Sequence, residues 1–174
     1  MLCVIAKLDE TATNRLIELQ KAAFPAGAET RTLHGHITLA TYIGEDEACF
    51  VQSCKRALAG ASAFIVVYEK IEVLDETSIL VATPEKSEPL AFLHRRITER
   101  FEDTLDRWTK GDRWYPHTTL AVGPQPDLQT ICDKMRDSFS TFEAWISKIE
   151  FSRVYANAFE IVDDLDLASH AFDT

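Results

Sequence analysis

The chain has 174 residues, 46% hydrophobic and 26% charged, a composition that can bury a sizeable core and excludes disorder as the default state. Eighteen Lys and Arg against twenty-eight Asp and Glu leave a formal charge of −10, which excludes tracking along nucleic-acid backbone by phosphate neutralisation, so any nucleic-acid partner is expected to be small or touched only at an end. Four cysteines without a C-x-x-C pair exclude a zinc framework and are expected as buried thiols, while Lys7 interrupts the first apolar run too early for a signal peptide and no run reaches membrane-span length; a cytoplasmic monomer without membrane contact is expected.

Taken in chain order, residues 2–8 are apolar and β-branched enough for a buried strand. Residues 11–24 carry Leu16, Leu19, Ala23 and Phe24 at helical spacing behind Thr11 and Thr13 as candidate caps. After the break at Phe24-Pro25-Ala26-Gly27, residues 36–43 read as a strand ended by Gly44, and residues 46–59 as a helix stopped by Gly60. Two strands are predicted over 62–75 and 77–82, then a long amphipathic helix over 86–108 with Leu90, Leu93, Ile97, Phe101 and Leu105 inward. A strand over 117–122 ended by Gly123-Pro124, a helix over 127–138 and strands over 141–155 and 158–163 complete the order.

The second half repeats the first. His36-Ile37-Thr38-Leu39-Ala40 recurs as His117-Thr118-Thr119-Leu120-Ala121, and Ser62-Ala63-Phe64 with Lys70-Ile71-Glu72 recurs as Ser140-Thr141-Phe142 with Lys148-Ile149-Glu150. The pattern predicts an α+β fold of two pseudosymmetric lobes, each with a mostly antiparallel sheet and helices, packed as one bilobal domain over 1–174 with a groove between them. On a strand, His36, Thr38, Ala40 and Tyr42 share one face, as do His117, Thr119 and Ala121. If the two strands line the groove from opposite sides, two imidazoles and two hydroxyls converge.

That set suits a phosphodiester. In-line displacement at phosphorus needs a proton removed from the attacking oxygen and one supplied to the leaving oxygen, and two imidazoles titrating near neutrality do both. Hydroxyls two residues along can donate to the non-bridging oxygens, where charge gathers, so neither metal nor other cofactor is called for.

At these residues the chain resembles the 2H phosphoesterase superfamily, the 2'-5' RNA ligase-like and cyclic phosphodiesterase proteins, named for two H-x-[TS] motifs on pseudosymmetric lobes. The resemblance implies metal-independent chemistry on 2',3'-cyclic phosphates or 2'-5' phosphodiester bonds, with a small cyclic nucleotide or an RNA end as partner. It maps the catalytic histidines to His36 and His117 and the phosphate-binding hydroxyls to Thr38 and Thr119. Many relatives carry Pro before each motif; Pro116 keeps it and Gly35 does not.

Arg31, Lys110 and Arg113 precede the motifs and are candidates to hold a substrate phosphate, with surface charge the alternative. Tyr42 and Tyr115 are candidates for phosphate or base contact; for Trp108, Trp114 and Tyr115 core packing is the favoured expectation. His94 and His170 are expected in solvent, and Asp163, Asp164 and Asp166 in a solvated tail. Two other functions stay open: a zinc hydrolase using His34, His36 and His117, and a module that holds a nucleotide or RNA end without turnover.

Overall fold

A computed structural model describes residues 1–23, 35–75, 77–123, 125–155 and 158–169. Strand β1 (Leu2–Leu8) leads into helix α1 (Glu10–Ala23), and β2 (His36–Tyr42) into α2 (Glu47–Leu58). Strands β3 (Phe64–Val73) and β4 (Ile79–Pro84) are followed by α3 (Glu88–Thr98), then by β5 (Thr118–Val122), α4 (Gln125–Arg136), β6 (Phe142–Val154) and β7 (Phe159–Asp166).

Helix starts follow their capping chemistry. Asp9, not Thr11 or Thr13, caps α1, its Oδ1 accepting from the Ala12 amide at 3.0 Å. Asp46 does the same for α2 through the Cys49 amide at 2.9 Å, and Ser87 for α3 through Leu90 at 3.4 Å. Buried Leu16 and Leu19 on α1, Phe50, Cys54 and Leu58 on α2, Leu90, Leu93 and Ile97 on α3, and Leu128, Cys132 and Met135 on α4 turn one stripe of each helix to a shared core. Cys49 departs from the buried-thiol expectation and is exposed. No helix among the described residues is long and apolar enough to cross a membrane.

The strands form one seven-stranded sheet in the order β2-β1-β6-β3-β4-β5, with β7 added on β6 and every pairing antiparallel. The two expected sheets are thus continuous, because β6 is long enough to serve both halves. Its first residues, Phe142–Ile146, pair with β3, and Ile146–Arg153 pair with β1. The motif strands β2 and β5 stand at the two ends of this sheet.

The register breaks in matching places. Val4 pairs with Ala40 and Ile5 with Thr38, so Leu39 is the extra residue of a β-bulge; Leu80 pairs with Ala121 and Val81 with Thr119, so Leu120 is its counterpart. A second matched pair of bulges falls at Glu69 and Ser147, each one residue before a Lys-Ile-Glu triplet. The repeat therefore reaches down to individual irregularities of pairing.

The helix expected over 86–108 ends at Thr98. Beyond it the chain forms three short 3-10 turns (Glu102–Thr104, Arg107–Thr109, Gly111–Arg113) whose backbone serves the edge of β2: the Ile43 amide donates to Thr104 O at 2.9 Å and the Asp106 amide to Thr41 O at 2.8 Å. Pairing an open sheet edge outweighed continuing a helix. The carboxylates expected in a tail lie on β7 instead, where Asp163 pairs with Lys55 at 2.8 Å and Asp164 and Asp166 pair with Lys148.

Candidate functional site

His36, Thr38, His117 and Thr119 are all half-buried, in contrast to Ile37, Leu39 and Leu120, which belong to the core. The Nδ1 atom of His36 is itself buried. His36 opens β2 and His117 stands one residue before β5, and each threonine lies just before the bulge. Leu39 with Ala40, and Leu120 with Ala121, turn together into the core, which ends the regular alternation beyond Thr38 and Thr119.

Sheet edges leave carbonyls unpaired, and here side chains from other elements satisfy them. The Thr118 hydroxyl donates to the His36 carbonyl at 2.7 Å, the Trp114 indole Nε1–H to the Thr38 carbonyl at 2.8 Å, and Gln20 Nε2 of α1 to the Thr119 carbonyl at 3.0 Å. Since a carbonyl only accepts, the Thr118 hydroxyl is committed as a donor, and Tyr68 must donate to it across their 2.6 Å contact. A directed chain, Tyr68 to Thr118 to His36, therefore runs through the buried wall of the site and sets one motif strand against the other. Burial pushes the Tyr68 phenol well above its ordinary pKa, against the opposing pull of Thr118, so it remains a donor across the working range.

Replacing Thr118 with valine leaves the Tyr68 hydroxyl buried without its acceptor and the His36 carbonyl without its donor. Thr118→Val is expected to cost about 1–3 kcal/mol, and adding Tyr68→Phe should cost less on that background than alone. Urea unfolding of the four chains checks this; additive effects would show that the relay is not one unit.

His117 donates from Nδ1 to the Tyr115 carbonyl at 2.7 Å, which fixes its neutral tautomer and leaves Nε2 with the lone pair. The first motif is entered differently. Gly35 is buried with φ +61°, and a Cβ there would stand 2.0 Å from Thr13 Oγ1 of α1. Proline, held near φ −65°, cannot adopt this conformation, so the missing proline reflects how closely α1 approaches the motif.

Cross-strand rows extend the site. Glu72 pairs with Val81 and Val81 with Thr119, while Lys70 pairs with Thr83; these residues share the face that carries the second motif. In the other half Lys7 pairs with both His36 and Lys148, and Ile5 with both Thr38 and Glu150. Lys7 reaches Glu150 at 2.6 Å, and Glu72 accepts from Tyr115 at 2.5 Å, Thr83 at 2.9 Å and Lys70 at 3.1 Å. Burial alone would raise the Glu72 carboxyl, but these three donors hold it below its ordinary pKa, and Glu72 in turn raises Lys70. The Lys-Ile-Glu repeat thus places one glutamate beside each motif, a role that periodicity alone does not assign.

Other expectations separate here. Tyr42 is a correction: the bulge at Leu39 inverts the alternation, so its ring is buried, stacked on Phe50 at 4.2 Å, with its hydroxyl donating to Asp46 O, and it does not face the groove. His94 is buried rather than solvated; it bonds the Thr109 carbonyl through Nε2 at 3.0 Å and stacks on Trp114 at 4.0 Å, and burial pushes its pKa down. Trp114 packs as expected, whereas Trp108 is exposed beneath Arg107 and Tyr115 is exposed. Lys110 is half-buried and Arg113 exposed on the turns leading into the second motif. Arg31, His34 and His170 lie outside the described residues, and among those described no group of three His, Cys, Asp or Glu is arranged to hold a metal.

A model of the 2'-5' RNA ligase superfamily matches residues 8–157. Among solved structures, TT0787 of Thermus thermophilus is 15% identical with a TM-score of 0.68, covering 97% of this chain and 98% of its own. A structure described as a phosphoesterase is 13% identical with a TM-score of 0.67, covering 95% and 97%. LigT of E. coli complexed with 3'-AMP is 14% identical with a TM-score of 0.64, covering 95% and 96%. No curated protein matches the sequence. At these identities the structural likeness carries the α+β fold and nothing finer.

Proposed function

Because the chain belongs to the 2'-5' RNA ligase superfamily, whose membership supports phosphoesterase activity, we propose that it makes or breaks 2',3'-cyclic phosphates and 2'-5' phosphodiester bonds of nucleotides or short RNA ends. The observation that carries this reading is the pair of His-x-Thr-Leu strands, each bulged at its leucine, on facing sheet edges tied through Thr118 and the His36 carbonyl. In this reading His36 and His117 share the acid and base work, and the Thr38 and Thr119 hydroxyls donate to the non-bridging oxygens of phosphorus. LigT structures complexed with 3'-AMP, ATP and NADP+ support a small nucleotide as the class of ligand. A net charge of −10 agrees with a short substrate, since the outer field repels a polyanion.

Opening a 2',3'-cyclic phosphate balances as follows. Water attacks phosphorus and gives its proton to the neutral imidazole, the bond from phosphorus to one ribose oxygen breaks, and that oxygen takes a proton from the imidazolium opposite. Every step uses protein groups, so turnover of a nucleoside 2',3'-cyclic phosphate and of a 2'-5' dinucleotide is expected to survive exhaustive chelation in metal-free buffer. Chromatography resolving the 2'- and 3'-phosphate products gives the regiochemistry. Stoichiometric zinc required for turnover would replace this mechanism by one through His34, His36 and His117, and binding without product from either substrate would make the protein a binding module.

A further inference from the structure

Beside the second motif lies a groove of about 430 Å³, lined by Lys70, Thr83, Ser87, Ala91, Tyr115 and Pro116 among others. That size falls within the range of about 300–1,000 Å³ typical of small-molecule pockets. Its wall adjoins His117, which is not itself part of the lining, in three ways. Pro116 is bonded to His117, the Tyr115 carbonyl holds its Nδ1, and the Lys70–Thr83 row lies on the sheet face of Thr119.

The lining is apolar at Pro84, Leu90 and Ala91, while the charged residues come in opposite signs, Lys70 and Lys86 against Glu69 and Glu88. Lys70 is already paired with Glu72. A second phosphate would meet as much repulsion as attraction; a flat, uncharged group would not. Tyr115 offers such a group a ring that is 40% exposed and is pinned at its hydroxyl by Glu72, so little freedom is lost when a base stacks on it.

We propose that this groove holds the nucleoside whose 5'-oxygen joins or leaves phosphorus, the second nucleoside of a 2'-5' dinucleotide; the inference rests on the phosphodiester reading above. It also divides the labour of the histidines. In cleavage the 3'-hydroxyl oxygen of the first ribose bonds to phosphorus and its proton passes to His36. The bond from phosphorus to the 5'-oxygen breaks, and that oxygen takes its proton from His117. A 2',3'-cyclic phosphate and a nucleoside with a free 5'-hydroxyl result, and water takes the place of that hydroxyl when the cyclic phosphate is hydrolysed.

The test compares kcat/KM for a 2'-5' dinucleotide with that for the corresponding nucleoside 2'-(methyl phosphate), which presents the same reacting ester without the second nucleoside. The native protein is expected to favour the dinucleotide at least tenfold. Tyr115→Ala and the groove-filling Ala91→Trp should each cut that ratio at least fivefold, and Tyr115→Phe, which keeps the ring but releases it from Glu72, should cut it less than Tyr115→Ala. Losses of folding common to both substrates cancel in the ratio, and the Tyr115 pair decides the matter if Ala91→Trp fails to fold. An absent preference in the native protein, or a ratio unmoved by Tyr115→Ala, overturns the groove assignment while leaving the phosphodiester reading in place; turnover of neither ester, nor of a cyclic phosphate, overturns both.

Discussion

Replacing His36 or His117 with alanine is expected to lower turnover of a 2',3'-cyclic phosphate by about 10²- to 10⁴-fold, the usual worth of one positioned proton transfer. The double replacement should cost clearly less than the product of the two, since a concerted displacement fails once either end of the proton traffic is missing. With one imidazole required neutral and the other charged, the native rate should be bell-shaped in pH. Its two limbs belong to the coupled pair, and each single replacement should abolish one of them. Thr38→Val and Thr119→Val should lower turnover less than the histidine replacements and with little change in KM, as the proposed donation of their hydroxyls to the charged transition state requires. Steady-state kinetics on folded variants, confirmed by circular dichroism, checks the set; near-normal turnover in either histidine variant would end the two-histidine account.

The largest asymmetry should appear when the leaving group no longer needs a proton. In a nucleoside 2'-(p-nitrophenyl phosphate) the departing phenolate is stable as an anion, so the residue that protonates the 5'-oxygen becomes dispensable while the residue that activates the 3'-hydroxyl does not. His117→Ala is therefore expected to approach the native rate on this ester, within about tenfold, whereas His36→Ala stays at its full deficit. Release of p-nitrophenolate reads this directly in single-turnover mixing. Equal recovery by both variants, or recovery by His36→Ala alone, would reverse or remove the division of roles drawn from the groove beside His117.

Much of the site is legible in the sequence because the repeat samples it twice. His36 and Thr38 alternate with Ile37 and Leu39, and the same alternation around His117 and Thr119 separates a polar face from an apolar one. The pattern carries no sign of the bulges at Leu39 and Leu120, since a bulge is a property of two paired strands, and strict alternation puts Tyr42 on the wrong face for that reason. Residues 99–108 have helical periodicity, but what they do is decided by the open edge of β2 about sixty residues earlier. His94 occupies a position that looks solvated along its own helix and is covered by Trp114, which arrives from a later turn. Gly35 is informative only once α1 is seen against it, with the Thr13 side chain where a Cβ would lie.

The sharing of β6 bears on how the protein is made. Strands β1 and β2 can pair as soon as both leave the ribosome, and β3, β4 and β5 can do likewise, but among the described residues the first group is joined to the second by strand pairing only through Phe142–Val154. A nascent chain that has reached residue 141 already contains both histidines and both threonines, yet the sheet that spaces them still lacks the strand joining its halves. The strand that joins the two halves of the sheet is therefore the last but one to be made, and a chain stalled after β5 but before β6 exposes the strand edges that β6 covers in the finished sheet.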